Sequence, residues 1–184
     1  MMRADARRNR DLLVEVARQV FKERGLDAPL DEIARRAGVG AGTLYRHFPT
    51  REALHDAVMQ AWVEQVQGHV DKALATEGGP RAQLLAWFGE YVTLLTRHKG
   101  SASAITTALG VPDSPIRSKC QIYAQANEKV LEVLRADGAL RGDVDNLSVC
   151  RLVGGVATMA DQASLDAEAV RPMLEVVADG LLRD

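Results

Sequence analysis

Apolar residues in this chain recur at steps of three and four positions, from residue 13 almost to its end. This spacing puts apolar side chains on one face of an α-helix, whereas a half-buried β-strand needs strict alternation. The sequence contains no convincing alternating segment of four or more residues. A clear example of helical spacing lies near the start, at Leu13, Val16, Ala17, Val20 and Phe21. The pattern predicts an all-α chain of about nine helices.

Glycine and threonine residues divide this pattern into three short helices, one long helix and a helical bundle. Gly25 follows the first predicted helix, and Gly38 interrupts the next apolar run. Thr50 is a favourable N-cap for a long fourth helix, because its hydroxyl can accept a backbone N–H. The sequence therefore predicts a three-helix domain over residues 1–50 and a second helical domain over residues 51–184.

The composition excludes several classes of protein. The 184 residues are 47% hydrophobic and 26% charged, close to the soluble globular average and unlike a disordered, collagen-like or low-complexity chain. The longest uncharged run, residues 100–112, is shorter than the roughly 18 apolar residues of a membrane span. The charged start lacks the apolar core of a signal peptide. We therefore expect a cytoplasmic protein that does not associate with membranes.

The net charge of −2 conceals two regions of opposite sign. Residues 1–51 contain 11 Lys and Arg and 7 Asp and Glu, for a net +4, while residues 52–184 contain 12 and 18, for a net −6. A basic N-terminal region before an acidic remainder is typical of a nucleic-acid-binding module joined to a sensing or assembly module. An ordinary solvated surface gives the same charge count, so a specific motif has to decide between them.

The cysteines and histidines do not predict a metal centre. Cys120 and Cys150 lie far apart within apolar helical patterns, which favours buried thiols in a reducing compartment and leaves a disulfide open. The four histidines show no spacing typical of metal ligands, either with one another or with a cysteine. We expect neither a metal nor a cofactor.

The most specific segment is residues 31–48, which read DEIARRAGVGAGTLYRHF. A helix-turn-helix needs a short helix, a tight turn containing glycine, and a second helix held across the first. Ala34 is small where the two helices would cross, and Gly38 supplies the positive φ that the turn requires. Leu44 and Phe48, one helical turn apart, would hold the second helix against the core. The segment therefore predicts a helix-turn-helix.

The second helix of this motif would present its opposite side to solvent. On a helical wheel, Gly42 and Arg46 point away from the core, with Thr43 and Tyr45 beside them. An N-terminus made of small residues lets such a helix enter the major groove of DNA without steric conflict. An arginine at the position of Arg46 can also read guanine with two hydrogen bonds.

Two other interpretations of the glycine cluster remain open. The cluster loosely resembles a phosphate-binding loop, but a dinucleotide-binding fold needs a preceding strand and a third glycine three residues after the second. Here a predicted helix precedes the cluster, and Thr43 stands where that glycine would be. The second alternative is a helical turn without DNA contact, which leaves Tyr45, Arg46 and His47 exposed without a role.

The whole segment closely resembles the TetR family of bacterial transcriptional regulators. The similar residues follow the pattern Asp-Glu-Ile-Ala-x-x-Ala-Gly-Val-x-x-Gly-Thr-Leu-Tyr-x-His-Phe over residues 31–48, and residues 51–54 resemble the family's start of helix four. The specific resemblance covers about residues 9–60, and beyond them only the number and lengths of the helices are similar. It implies an N-terminal DNA-binding domain and a C-terminal domain that binds an effector and dimerises.

The resemblance also implies which side chains contact DNA. Tyr45 and His47 correspond to the family's phosphate contacts, and Arg51 to a basic residue at the start of helix four. The donor chemistry of these side chains agrees with such contacts. The first residues of the recognition helix would lie over base edges together with Arg46. The implied set is Ala41, Gly42, Thr43, Tyr45, Arg46, His47 and Arg51.

The sequence departs from the family pattern at the start of helix two. Family members often begin this helix with a threonine cap, whereas residues 28–30 read Ala-Pro-Leu. Asp31 occupies a position that in some members is a base-contacting arginine. The pattern therefore gives no support for a base contact from helix two. Four arginines near the start add either DNA contacts or a solvated tail: Arg3, Arg7, Arg8 and Arg10.

Aromatic and polar side chains share the apolar faces of predicted helices four, five and seven. Ordinary core packing explains any single aromatic residue, and His69 alone is more typical of a core histidine. A buried Asn127, however, needs partners, and in a regulator the partner is often an effector. The resemblance implies an apolar pocket there, for a largely apolar small-molecule effector held by about one or two hydrogen bonds. The expected lining is Trp62, Gln65, His69, Trp87, Phe88, Tyr91, Tyr123 and Asn127.

Small residues are frequent in predicted helix eight, and apolar residues recur along predicted helix nine. The resemblance implies that these two helices pair with their two-fold mates in a homodimer, while packing within a single chain is the alternative. Glycines within a helix usually have a packing reason. The expected interface residues are Val153, Gly154, Ala157, Met173, Val177 and Leu181.

These observations and the resemblance lead to one expected function. The chain is a ligand-responsive transcriptional regulator, in the family's commoner mode a repressor that binds a palindromic operator in double-stranded DNA as a homodimer and is released by an effector. It contains no nucleophile elbow and no metal set, so we do not expect an enzyme. The alternative is a helical small-molecule-binding or scaffold protein that does not bind DNA.

Overall fold

The computed structural model describes residues 2–111, 113–114 and 116–183, and these residues form nine helices and no β-strand. The all-helical prediction is therefore confirmed. The helices are α1 (Met2–Arg24), α2 (Leu30–Arg36), α3 (Ala41–His47), α4 (Arg51–Leu74), α5 (Gly79–Thr96), α6 (Ser101–Ala108), α7 (Arg117–Ala136), α8 (Asn146–Ala163) and α9 (Ala167–Leu181).

The chain forms two compact units, Met1–Gln65 and Val66–Asp184. The division falls inside α4, whereas the sequence placed it at residue 50, before that helix begins. Leu54 and Val58 explain the difference, because both are buried in the same apolar core as α1, α2 and α3. The first turns of α4 therefore belong structurally to the N-terminal unit.

The core of the N-terminal unit is built from the apolar faces that the sequence predicted. Leu13 and Val20 of α1 are fully buried, as are Ile33 of α2 and Leu44 of α3. Phe48 closes the core after α3, and the guanidinium of an α1 arginine lies 5.5 Å from the centre of its ring. The helix-turn-helix is therefore held to α1 chiefly by apolar packing.

The turn between α2 and α3 is closed by two backbone hydrogen bonds. Gly38, with φ of 68°, donates its N–H to the Arg35 carbonyl at 3.2 Å, and Val39 donates to the Ala34 carbonyl at 3.0 Å. This pair of bonds is a common way to end a helix with a left-handed residue. Val39 then packs against the core, so the turn sets the direction in which α3 leaves.

An ionic network fastens α2 to α1. The Glu32 carboxylate, with a side chain only 9% exposed, lies 2.8 Å from Arg24 Nη1 and 2.8 Å from Arg36 Nη2. Arg36 also donates from Nη1 to Glu23 at 2.7 Å. The hydrogen bonds to Glu23 and Glu32 raise the pKa of Arg36 above its ordinary value. These acidic residues therefore orient α2 and compensate the charge of nearby arginines.

The C-terminal unit is organised around α5, which packs against α7, α8 and α9. Helix α6 packs closely on α8, where a Cβ added to Gly154 would overlap the Thr106 side chain. The end of the chain is tied back to the α7–α8 loop, since Arg183 donates its backbone N–H to the Ala139 carbonyl at 2.9 Å. Both free cysteines, Cys120 and Cys150, are buried in this unit.

The geometry of the turn leads to a stability prediction for Gly38→Ala. No neighbouring atom lies within 4 Å of the added Cβ, so the main cost is the left-handed conformation, about 1–2 kcal/mol for a residue with a Cβ. We expect faster hydrogen–deuterium exchange in α2 and α3, measured by mass spectrometry. Gly40→Ala is the matched control, because Gly40 has φ of −70° and equally open surroundings. If α2 and α3 exchange hydrogen for deuterium equally fast in the two variants, the left-handed conformation of Gly38 does not limit stability.

Candidate nucleic-acid interface and ligand region

Helix α3 presents one exposed side that contains most of the residues implied for DNA contact. Ala41, Gly42, Tyr45 and Arg46 are exposed, while Leu44 between them is fully buried. The remaining two α3 residues of the expected set are half-buried at the edges of this side: Thr43 and His47. The structure therefore brings six of the seven expected residues onto one short helix.

Arg46, the one arginine on α3, has no ion-pair or hydrogen-bond partner among the described residues, whereas several arginines of α1 and α2 are paired. Arg24 and Arg36 are held by Glu32, and Arg18 donates to Glu15 at 2.7 Å. A guanidinium that is exposed and uncompensated keeps all five N–H donors available for phosphate or a base edge. Among the α3 side chains, Arg46 is the strongest candidate for a charged contact.

Arg51 occupies a different position from the other expected residues. Its Nη1 donates to the Leu26 carbonyl at 2.7 Å and to the Ala28 carbonyl at 2.6 Å. These bonds tie the start of α4 to the α1–α2 loop, a structural role that the sequence did not reveal because no local spacing indicates it. A DNA contact by Arg51 stays a prediction. The predicted N-cap is confirmed, since Thr50 Oγ1 accepts the Ala53 N–H at 3.1 Å.

The arginines near the start of the chain lie on α1. Arg8 pairs with Asp5, Arg10 lies over the Phe48 ring, and Arg7 is exposed. The side chain of Arg3 lies outside the described residues. A helix, and not a frayed tail, therefore carries these charges.

The expected effector-contacting residues are divided between the two units. Trp62 and Gln65 belong to the N-terminal unit, whereas the other six lie in the C-terminal unit. His69 is half-buried and its Nδ1 lies 3.0 Å from Glu90 Oε2. The remaining five are buried in the core of the C-terminal unit: Trp87, Phe88, Tyr91, Tyr123 and Asn127.

Asn127 finds its partners within the protein. Trp87 Nε1 donates to Asn127 Oδ1 at 2.8 Å, and Asn127 Nδ2 donates to Asn146 Oδ1 at 2.8 Å. Asn146 in turn donates to the Ala124 carbonyl at 2.9 Å. Trp87 and Asn146 therefore satisfy the buried Asn127 without a ligand, and a contact of Asn127 with an effector stays a prediction. Asn146 was missed because its role depends on how α8 packs on α7.

The aromatic residues of this region stack on one another. The ring centres of Trp87 and Tyr91 are 5.5 Å apart, and those of Tyr91 and Tyr123 are 5.7 Å apart. The Tyr91 hydroxyl is buried without a hydrogen bond of ordinary geometry and faces the Cys150 thiol. Burial raises the pKa of Tyr91 well above its ordinary value and that of Cys150 to about 11. Both groups are therefore uncharged near neutral pH.

Two cavities in the described residues bear on this prediction, and the larger of them lies on the opposite face of α5. It is a cleft of about 920 Å³ between α5, the end of α8 and the first half of α9. The smaller cavity, of about 210 Å³, lies beside the α7–α8 loop and the end of α9. None of the eight expected lining residues borders either one. An effector contact by those eight residues stays a prediction, and in this conformation five of them form a packed core.

The six residues predicted for the dimer interface differ in exposure, and their contact with a partner stays a prediction. Val153, Gly154, Ala157 and Leu181 are buried within the chain, so they cannot meet a partner in this conformation. The small residue at Gly154 is explained by its close approach to Thr106 on α6. Only the remaining two expected residues are partly exposed: Met173 and Val177.

A different apolar surface faces outward on α8 and α9. Leu152 and Met159 are each 53% exposed on α8, and Val176 is 74% exposed on α9. We call these residues, together with Val156 and Met173, the outward stripe. The residues on each helix recur at helical spacing on one side of it. Large apolar side chains exposed on one side of a helix are candidates for an interaction surface.

Comparisons with known proteins agree with this architecture. Residues 13–58 match the family described as bacterial regulatory proteins, tetR family, and residues 79–183 match the C-terminal domain of SbtR-like transcriptional regulators. A TetR regulator of Streptomyces coelicolor, SCO0520, is 34% identical, with 94% of this chain and 98% of that chain covered and a TM-score of 0.58. The chain belongs to the TetR family of bacterial transcriptional regulators.

Two further relatives cover nearly the whole length. The TetR transcription regulatory protein of Mycobacterium vanbaalenii is 33% identical over all of both chains, with a TM-score of 0.58. The transcriptional repressor KstR2 of Rhodococcus jostii is 26% identical, with 92% of this chain and 89% of that protein covered. Within the described part of the chain, no helix has both the length and the apolar character needed to cross a membrane.

The Asn127 network leads to a second stability prediction. Asn127→Leu leaves the Trp87 N–H without a partner in the core and removes one hydrogen bond from Asn146 Oδ1, which should lower the free energy of unfolding by about 1–3 kcal/mol. The double variant with Trp87→Phe should lose less than the sum of the single variants, because both partners are then removed. Urea unfolding followed by circular dichroism measures all three. If the losses in the free energy of unfolding of the two single variants add up to that of the double variant, the hydrogen bond between Trp87 and Asn127 contributes nothing to stability.

Proposed function

We propose that this protein represses transcription by binding a palindromic operator as a homodimer, and that a small molecule releases it. The single observation that carries the proposal is the exposed side of α3, where Tyr45 and the unpaired Arg46 project from a helix-turn-helix. The KstR2 relatives are named as repressors, which supports repression of transcription over activation. DNA outside the cell's regulatory regions would be bound only weakly, through phosphate contacts.

The exposed residues of α3 suit two different kinds of DNA contact. Ala41 and Gly42 are small, so the start of α3 can approach base edges closely in the major groove. Tyr45 and His47 supply hydrogen-bond donors that suit phosphate oxygens. Arg46 is long enough for either kind of contact, and the salt dependence of binding distinguishes the two.

We predict that Arg46→Ala weakens operator binding by about 1–3 kcal/mol if Arg46 reads a base, with relaxed preference at one operator position. If Arg46 contacts phosphate, binding weakens for all sequences and the slope against salt concentration falls by about one. Fluorescence anisotropy with an operator selected from genomic fragments measures both. Arg183→Ala, which removes an exposed arginine outside α3, is the matched control.

Tyr45→Phe should weaken binding to all sequences alike, because it removes one phosphate donor and leaves the ring in place. If both the Arg46 and the Tyr45 variant bind the selected operator as tightly as the unmodified protein, α3 is not the recognition helix. Binding that shows no steep dependence on salt at all would favour the alternative of a helical binding or scaffold protein.

Dimerisation follows from the geometry of operator recognition. Two recognition helices must reach half-sites about 34–36 Å apart, which a two-fold dimer provides. We propose the outward stripe as the dimer surface, with Leu152, Met159 and Val176 in its centre. These side chains are exposed within one chain and are large and apolar, as the core of a homodimer interface requires.

The corresponding prediction concerns Met159→Glu combined with Val176→Glu. Both side chains lie outside the core, so the chain should fold normally while the buried charges prevent association. Light scattering should give a monomer, and operator affinity should fall strongly. Val133→Glu, at a side chain 39% exposed on α7, is the matched control and should remain dimeric. An intact dimer of the double variant would place the interface elsewhere.

Release by an effector requires a ligand that binds better to the conformation with unsuitable spacing of the recognition helices. The C-terminal part of α4 is a natural target, because polar contacts hold it to its neighbours. Lys129 Nζ lies 3.1 Å from Asp71, and Gln83 donates to the Leu74 carbonyl at 2.8 Å. A ligand that changes these contacts would shift α4, the helix that also carries Arg51.

A further inference from the structure

The cleft beside α5 has the properties of a site for an elongated apolar molecule. Its walls are formed mainly by apolar side chains, among them Leu85 and Val92 on α5 and Val170 and Leu174 on α9. Its volume of about 920 Å³ lies within the range of small-molecule pockets. The cleft uses other faces of α8 and α9 than the outward stripe, so a dimer through that stripe leaves it accessible.

The length of the cleft can be read from α5. Ala82 and Thr96, near opposite ends of the helix, both border it. At a rise of about 1.5 Å per residue this face is about 21 Å long, enough for an extended chain of roughly ten to twelve carbons with a head group. The residues between them that border the cleft are mostly small or apolar, with Ala86 and Gly89 at its centre.

Most charged groups around the cleft are already compensated by other groups of the protein. Arg81 makes two hydrogen bonds to Asp179, at 2.6 and 3.1 Å, and these lower the pKa of Asp179. Asp161 accepts the Gly100 N–H at 2.6 Å, and Asp166 caps α9. These charged groups therefore already have partners within the protein and do not need a ligand to compensate them.

Two polar groups at the α5 C-terminal end of the cleft are not compensated. Within the described residues, Lys99 has no carboxylate at ion-pair distance and the Ser164 hydroxyl has no hydrogen-bond partner. Ser164 has φ of 53°, the one positive φ outside glycine in the described part of the chain. Ser164 is the C-cap of α8 and donates its backbone N–H to the Ala160 carbonyl, so this left-handed conformation is a common way to end a helix.

We propose that this cleft binds a long-chain carboxylate, with the chain along α5 and the head group at Lys99 and Ser164. The carboxylate would accept hydrogen bonds from the ammonium and the hydroxyl, while the chain covers the apolar walls. The claim that this ligand is the effector rests on the proposed function. The claim that it binds in the cleft does not.

The position of the cleft connects it to α4. Thr76 and Gly78, in the connection between α4 and α5, border the cleft. Gly78 and Gly79 have positive φ of 104° and 79°, a conformation in which glycine allows the chain to bend sharply. The hydrocarbon chain of a ligand in the cleft therefore contacts the bend that follows α4. Ligand binding can act on α4 through this bend.

The first experiment measures binding of decanoate to the full chain by isothermal titration calorimetry, with decan-1-ol and decylammonium as ligands of the same chain length. We expect decanoate to bind most tightly. Gly89→Leu should weaken decanoate and decan-1-ol alike by at least about tenfold, because the new side chain fills the centre of the cleft. A Cβ at Gly89 meets no atom within 4 Å, so the helix should tolerate it. Gly68→Leu, also in an open helical position, is the matched control.

The head-group variants test the other half of the proposal. Lys99→Gln and Ser164→Gly should each weaken decanoate by about fivefold, as exposed charge pairs do, and leave decan-1-ol unchanged. Ser164→Gly retains a residue suited to positive φ, so the end of α8 should keep its conformation. Equal loss for both ligands would mean that neither side chain recognises the carboxylate, and would overturn this assignment.

Three outcomes overturn the cleft as a carboxylate site: no decanoate binding, tighter binding of decylammonium, or unchanged binding by Gly89→Leu. A lower molecular mass of Gly89→Leu in light scattering would instead show that a second copy of the chain occupies the cleft. Operator affinity without any ligand tests the proposed function separately. If decanoate binds in the cleft and operator affinity is unchanged, the site stands as a binding site and its role as effector site is wrong.

Discussion

The DNA-facing unit depends on the burial of two side chains, Leu44 and Phe48, at one helical turn from each other. Helix α3 has seven residues, far fewer than an isolated helix needs to be stable in water. Its stability therefore comes from packing on α1 and α2, and so does its orientation. Because one side of so short a helix must face the core, the opposite side presents Gly42, Tyr45 and Arg46 to solvent. The recognition surface is thus a consequence of the core.

Helix α5 imposes a comparable constraint on the C-terminal unit, because its two faces have different partners. Trp87 and Tyr91 lie on the face that packs against α7 and α8, where Trp87 donates a hydrogen bond to Asn127 and Tyr91 stacks on Tyr123. The other face carries Ala82, Ala86 and Gly89, whose small side chains leave a gap beside α9. The large side chains therefore form the structural core, and the small ones leave the cleft beside α9.

Several residues have a role that is only visible from their neighbours in space. Arg51 has the sequence position of a DNA contact, yet its guanidinium binds two carbonyls of the α1–α2 loop. Gly154 has the composition of a dimer interface, yet it allows α6 to approach α8 within one chain. In both cases the structure shows a contact within the chain that the sequence did not indicate, and the contact expected with DNA or with a partner stays a prediction.

The sequence by itself determined the helical fold, the position of the helix-turn-helix and the residues that α3 exposes, because these follow from local spacing and from the positive φ at Gly38. It did not determine which apolar residues of α8 are exposed, since neighbouring positions such as Leu152 and Val153 lie on different faces of the helix and both fit the apolar pattern. The cleft was decided by tertiary structure alone. A cavity arises where side chains are too small to fill the space between segments that are distant in sequence. The apolar periodicity of a single helix does not indicate such a space.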